Sequence, residues 1–237
     1  MYETLSLTES DRVATLTLRR PRIDVRSIRE LEKALDHLED RSDAEVVVFR
    51  GGSEGIDFVD FDPKEPLDIH GFNKWEKLVT RIERLAKITA FVADAPCVGG
   101  GFQLVLACDV RWATPAASFS LPEVRQGFLP GMATWRIARY IGLGRAKRLV
   151  LSGESLDAAA ALDLGLVDGV AADADAAQAA ALQLLGPRHV VAATLARRLL
   201  IESFDTQNED ALGNFLAAQS RAIAQPAFQR TVERARG

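Results

Sequence analysis

The sequence predicts an α/β sheet domain followed by a helical tail, and three observations predict it. Strand-type and helix-type patterns alternate through the first half. A run of three glycines, Gly99-Gly100-Gly101, stands between a strand-type and a helix-type segment. Helical patterns alone fill most of the second half. That order suits a sheet with right-handed crossovers and helices packed behind it. At 237 residues, with 48% hydrophobic and 26% charged side chains, the chain can bury a sizeable core, and disorder is excluded as its main state.

Val13-Ala14-Thr15-Leu16-Thr17-Leu18 alternates in polarity and reads as a strand, stopped by Arg19-Arg20-Pro21-Arg22. Ser27 with Glu30 three residues on predicts a capping box, and the helix continues through Leu31, Leu35 and Leu38. Val46-Val47-Val48-Phe49 is wholly apolar and ends in Gly51-Gly52, as a buried strand does. Residues 53–71 are irregular and acidic and read as a surface loop. Trp75, Leu78, Ile82 and Leu85 lie at helical spacing from about Asn73. Thr89–Ala93 predicts another buried strand, Asp94-Ala95-Pro96 a turn, and Phe102 to about Cys108 a helix. Val110–Ala113 and Ser118–Leu121 are short strand candidates, and the alanine-rich stretch from Ala158 to Ala181 predicts packed helices.

Charge and cysteine content narrow the function classes. A net charge of −4 gives no general affinity for nucleic acid or an anionic membrane. Two cysteines, Cys97 and Cys108, without a Cys-x-x-Cys spacing, fit a reduced cytoplasmic protein. Neither an export signal nor an apolar run near the ~18 residues of a membrane span is expected. The glycine run has four readings. A dinucleotide fingerprint needs a later glycine that Phe102-Gln103-Leu104 does not supply, and a P-loop needs a Gly-Lys-Ser/Thr that is absent. A tight turn needing glycine for packing alone remains open. So does a set of backbone N–H donors at the positive end of a helix, placed to stabilise a negative oxygen.

The wider sequence discriminates. Val92–Leu104 with Cys108-Asp109-Val110-Arg111-Trp112-Ala113 resembles the central signature of the crotonase (enoyl-CoA hydratase/isomerase) superfamily. So do Phe119–Val124, Gly127–Met132, Ser152-Gly153-Glu154 and Ala161–Asp168, all in order. The resemblance implies a crotonase-like spiral of ββα units over residues 1–185 and a C-terminal helical trimerisation region over 186–237. It implies an acyl thioester substrate, carried on CoA or phosphopantetheine, with no separate cofactor and no metal. Two backbone N–H groups would hold the enolate oxygen, one from Gly100 and one from Val59. The second follows from matching Asp62 to the family's Gly-Ala-Asp segment, although Phe61 and a missing glycine depart from it. Arg22, Asp62, Gly99 and Gly131 would line the substrate.

Of the two carboxylates that serve hydratases in the family, the resemblance places one at Glu123, while Gln103 stands at the other. An amide can hold a water or a hydroxyl but cannot exchange a proton as a base. The chain is therefore expected to isomerise an enoyl group, or to dehydrate or hydrate a β-hydroxyacyl group, with Glu123 as acid/base. The alternatives are decarboxylation of a carboxyacyl thioester and a non-catalytic accessory role beside a polyketide synthase. Trp75-Glu76-Lys77 and Met132–Arg136 look similar to short crotonase-like proteins of polyketide and arylglycine biosynthesis, which extends the expected partners to an acyl carrier protein. A homotrimer or a dimer of trimers is expected. His37, His70, His189 and Cys97 are not expected to be catalytic.

Overall fold

The computed structural model describes residues 2–20, 22–53 and 69–236. Its first element is one that the alternating pattern misses. β1 (Leu5–Ser10) pairs antiparallel with β2 (Val13–Leu18), from Leu5↔Leu18 to Ser10↔Val13. Asp11 and Arg12 form the two-residue turn, with φ of 50° and 62°. Positive φ at both positions is the type I′ geometry that matches strand twist. β1 is hard to read because half of it faces solvent and because its turn lacks the usual glycine.

α1 (Val25–Asp40) starts earlier than the predicted capping box. Its cap is Asp24, whose Oδ1 accepts from the Ser27 N–H and the Ser27 hydroxyl, both at 2.7 Å. Ser27 therefore sits inside the first turn, because a carboxylate satisfies the free helix donors better than a hydroxyl. Glu30 turns instead to the start of β1, accepting from the Thr4 N–H at 2.8 Å, the Thr4 hydroxyl at 2.7 Å and the Glu3 N–H at 3.0 Å. Burial would raise the Glu30 carboxyl, but these donors together hold it below its ordinary value. A lowered pKa stabilises the fold above the unfolded-state value, and that stabilisation fades as pH falls through the folded value. Glu30→Gln is thus expected to cost about 1–3 kcal/mol at pH 7 and little near pH 3, as read by denaturant titration at both pH values.

The sheet continues with β3 (Val46–Ser53), β4 (Ile88–Val98) and β5 (Val110–Ala113), and ends at β8 (Gly169–Val170). From β2 onward these neighbours are parallel. Alternate residues of β3 reach opposite faces. Val47 and Phe49 enter the main core with α1, α2 (Ile69–Glu83) and α3 (Gly100–Ala107), while Val46 and Val48 pack with Ala174, Ala177 and Ala181 of α7 (Ala174–Leu185). This double burial accounts for the unbroken apolar run. α2 begins inside the stretch expected to be a loop, and residues 54–68 lie outside the described residues.

β4 forks. Its first half pairs with β5, and its second half pairs with β6 (Ser118–Ser120) as Pro96↔Ser118, Cys97↔Phe119 and Val98↔Ser120. The predicted turn at Asp94-Ala95-Pro96 is therefore continuous strand, since pairing with β6 and a Ser53↔Cys97 pair with β3 override the turn-type composition. β7 (Ser155–Asp157) adds antiparallel to β6. A 3₁₀ turn, Glu123–Gln126, follows β6. The remaining helices are α4 (Ala133–Ile141), α5 (Leu143–Ser152), α6 (Ala158–Asp163), α8 (Val190–Glu202), α9 (Asn208–Ile223) and α10 (Pro226–Arg236). The alanine-rich stretch is helical as expected, but β8 interrupts it between α6 and α7.

Candidate active site

The carboxyl ends of two parallel neighbours, β4 and β6, bring the glycine run and Glu123 together. Crevices beyond strand carboxyl ends are where open α/β sheets place ligands. β4 ends at Val98, and the Gly99 N–H donates to Ser120 O at 2.9 Å, which ties the two strand ends to each other. Gly99 has φ 53° and ψ −116°, a conformation open essentially to glycine, and caps α3. α3 then begins at Gly100, two residues before the predicted start, because the glycines themselves make its first turn. Among the described residues the Gly100 N–H has no backbone partner, as the first donors of a helix do not.

Glu123 begins the 3₁₀ turn after Leu121-Pro122 and is only 5% exposed. A Cβ built on Gly99 would overlap Glu123 Oε1, so the carboxylate lies directly against the glycine. Burial pushes the Glu123 carboxyl up from its ordinary value, opposed only by its own backbone N–H. Its Oε2 is buried without a hydrogen-bond partner among the described residues. A buried carboxyl with a raised pKa, no paired cation and a free oxygen is equipped to give and take a proton.

Gln103, one turn along α3, is 3% exposed and is held at both ends. Its Nε2 donates to Glu76 Oε1 at 3.2 Å, and its Oε1 accepts from Arg136 Nη1 at 3.3 Å. Arg136, 1% exposed, also reaches Glu76 Oε2 at 3.6 Å, Glu83 Oε2 at 3.4 Å and Thr80 Oγ1 at 3.2 Å. Glu76 Oε1 accepts further from the Met132 N–H at 3.0 Å. Gly131, at φ 52°, lies so close that a Cβ there would overlap Glu76 Oε1 and stand 3.0 Å from Gln103 Nε2.

Residues 8–236 match the family model described as enoyl-CoA hydratase/isomerase. The chain belongs to the enoyl-CoA hydratase/isomerase family. It is an enzyme of that family by the same match and by its relatives. An enoyl-CoA hydratase of Amycolatopsis orientalis is 36% identical over 155 residues, 65% of this chain and 71% of the relative. A probable enoyl-CoA hydratase of Bacillus subtilis is 32% identical over 173 residues, 69% of this chain and 67% of the relative. The fold matches the crystal structure of an enoyl-CoA hydratase from Shewanella pealeana with a TM-score of 0.87 at 22% identity, covering 98% of this chain and 92% of that one. The expected crotonase spiral is thereby the observed fold.

Within this family member, Gly99 lies against Glu123 at the start of α3, Gly100 follows it, and Gln103 lies beside Gly131 one turn further along. Arg22 is exposed before α1, beside an Arg20–Asp24 ion pair at 2.8 Å. Val59 and Asp62 lie outside the described residues. His37 bonds Glu9 at 2.5 Å on the surface, and His189 caps α8. Cys97 is fully buried, with its thiol facing carbonyl oxygens. Among the described residues, no group of three or more His, Cys, Asp or Glu stands where it would hold a metal ion.

Glu76 and Arg136 are the site residues that sequence reasoning passes over. Their signal is present: Glu76, Thr80 and Glu83 recur at i, i+4 and i+7 of α2, a polar stripe beside the apolar face, and Arg136 lies along it. Gly99→Ala tests the packing of the crevice. Its Cβ strains a positive φ and displaces Glu123, so a loss of about 1–3 kcal/mol is expected, together with loss of activity. A melting temperature within 1 °C of wild type would refute the contact.

Proposed function

We propose that this chain stabilises the enolate of an acyl thioester and moves one proton with Glu123. The observation that carries the reading is the buried carboxylate of Glu123 set against Gly99 at the start of α3, with Oε2 unpartnered among the described residues. The thioester oxygen sits at the Gly100 N–H, aided by the α3 dipole, with Val59 as the second donor. For a β,γ-enoyl substrate, Glu123 takes a proton from the α-carbon, the negative charge passes to the thioester oxygen, and the same proton returns at the γ-carbon. For a β-hydroxyacyl substrate, Glu123 assists α-proton removal and loss of the hydroxyl as water. Donors fixed before the charge develops supply the larger share of the acceleration.

CoA is the proposed carrier because the similar proteins are named for CoA thioesters; a carrier-protein arm offers the same thioester. Decarboxylation is the second reading, favoured by one observation. Gln103 is an amide held by Glu76 and Arg136 and cannot itself carry a second proton, and loss of carbon dioxide makes an enolate without a second carrier. The proposed assembly is a trimer. Leu200, Phe204, Leu212 and Leu216 on α8, α9 and the turn between them are more than half exposed, an apolar surface that a second copy would cover. Among the described residues no helix is long and apolar enough to cross a membrane.

Turnover of enoyl-, β-hydroxyacyl- and carboxyacyl-CoA by wild type and Glu123→Gln decides among these. Isomerisation or dehydration lost in Glu123→Gln is the expected result. Undiminished activity in the variant favours decarboxylation. No turnover with any thioester, but stimulation of a synthase partner, favours an accessory role.

A further inference from the structure

The end of the sheet away from Glu123 carries a cavity of about 840 Å³ between the core and the C-terminal helices. Its core wall is built from Arg12 at the β1–β2 turn, residues 42–45 before β3 and Lys87 before β4, all at the amino ends of strands. The opposite wall is the start of α8, the end of α9 and the start of α10. Lys87 and Gly99 bracket the 11 residues of β4, so the cavity and the Glu123 crevice lie on the order of 30 Å apart. The walls hold four cations, Arg12, Lys87, Arg188 and Arg230, and two carboxylates, Asp43 and Glu45, on a chain whose net charge is −4. Glu45 is taken by Arg12 at 2.8 Å. Among the described residues the other three cations have no ion pair. Lys87 Nζ donates to Ser42 O at 2.8 Å and Ala44 O at 2.7 Å, and Arg188 donates to Leu185 O at 3.2 Å and Gly186 O at 2.5 Å. Carbonyls orient a cation without cancelling its charge. Burial holds Lys87 below the ordinary lysine value although Glu9 and Asp43 stand near, so its charge is under-compensated. Apolar side chains share the walls, among them Ile223 and Phe228, 38% and 40% exposed.

We propose that this cavity is a second binding site, for an amphipathic organic anion whose charged head meets Lys87, Arg188 and Arg230 and whose apolar body covers Ile223 and Phe228. Its volume lies within the roughly 300–1,000 Å³ of small-molecule sites, which join apolar walls to a few placed polar groups. An anion supplies the counter-charge that Lys87 lacks, and an apolar body takes two exposed hydrophobic side chains out of water. α8 and α10 both begin at the cavity, which adds a field of the same sign. The apolar surface assigned above to a second copy is elsewhere. Leu200, Phe204, Leu212 and Leu216 lie where α8 runs into α9, whereas the cavity takes the start of α8 and the end of α9. The enolate chemistry uses none of these residues, so the proposal stands independently of the thioester reading.

The test titrates the full chain calorimetrically with three probes: octanoate, which has both parts, octanol, which has only the apolar one, and inorganic phosphate, which has only the charge. Wild type is expected to bind octanoate about tenfold or more tighter than either of the others. Arg230 is exposed and has no partner to lose among the described residues, so its variants keep the fold. Arg230→Met is expected to weaken octanoate about three- to fivefold, and Arg230→Lys to retain most of the affinity. Lys87→Met, at a half-buried cation, is expected to weaken it about tenfold. Raising the salt from 0.1 to about 1 M should weaken octanoate and leave octanol unchanged. Glu123→Gln separates the two ends of the sheet and should leave octanoate binding as it is. No binding of octanoate, or octanol or phosphate binding as tightly, overturns the proposal. So does octanoate binding that responds to Glu123→Gln and is indifferent to Arg230→Met, which would place the probe in the crevice. Each of these results leaves the thioester reading standing.

Discussion

Glu123→Gln is expected to lower turnover by about 10²–10⁴-fold while making the protein more stable at neutral pH. Both effects come from the same burial. The carboxyl is raised by desolvation and, among the described residues, has no cation or second hydrogen bond to offset it. A folded-state pKa above the unfolded value stabilises the fold at low pH, and this contribution is lost as pH rises through the raised value. Glutamine does not titrate and keeps the size, so the variant gains at pH 7–8 and gains nothing near pH 4. The gain is about 1–3 kcal/mol, each kcal/mol being worth roughly 2–4 °C in a chain of this length. In the wild type the base is the carboxylate, so activity should rise with pH through a midpoint above the ordinary carboxylate range. Melting curves and rates at pH 4, 6 and 8 check all three statements. A variant less stable than wild type at pH 8 would mean that Glu123 is not carrying a desolvation penalty.

Arg136→Met is expected to be the most destabilising single change at the site. The guanidinium is 1% exposed and stands between Glu76, Glu83, Thr80 and the Gln103 amide. Its removal leaves two carboxylates together in a largely buried position without a counter-charge. Breaking a buried ion pair from one side costs about 3–5 kcal/mol, which lowers Tm on the order of 10 °C. Restoring neutrality separates charge from packing: in Arg136→Met with Glu76→Gln and Glu83→Gln, part of the loss should return. A fall below 1 kcal/mol in the single variant would show that the network is dispensable.

The main architecture could be read from local patterns because local and tertiary preferences agree there. Val46–Phe49, Thr89–Ala93 and the helix through Leu31, Leu35 and Leu38 are each apolar in the rhythm of the element they form. Reading fails where long-range pairing decides. β1 depends on its partner β2, and Asp94-Ala95-Pro96 is strand because β6 lies alongside. Asp24 replaces Ser27 as the cap because its carboxylate, three residues upstream, accepts from the Ser27 N–H and hydroxyl and so starts the helix earlier. At the site, Glu123 and the glycine run are contiguous motifs and could be found directly. Glu76 and Arg136 leave only the polar spacing of Glu76, Thr80 and Glu83 on α2 as a local trace, since their meaning comes from side chains 27 to 60 residues apart meeting around one amide.

Solvent deuterium exchange reports proton transfer at the α-carbon itself. An enolate site with one proton carrier should exchange the α-protons of butanoyl-CoA with D2O whether or not any net reaction follows, as mass spectrometry or proton NMR would record. Wild type is expected to catalyse exchange that is lost in Glu123→Gln and not restored by higher pH. Exchange that persists undiminished in Glu123→Gln, or its absence from wild type with a thioester shown to bind, would contradict it.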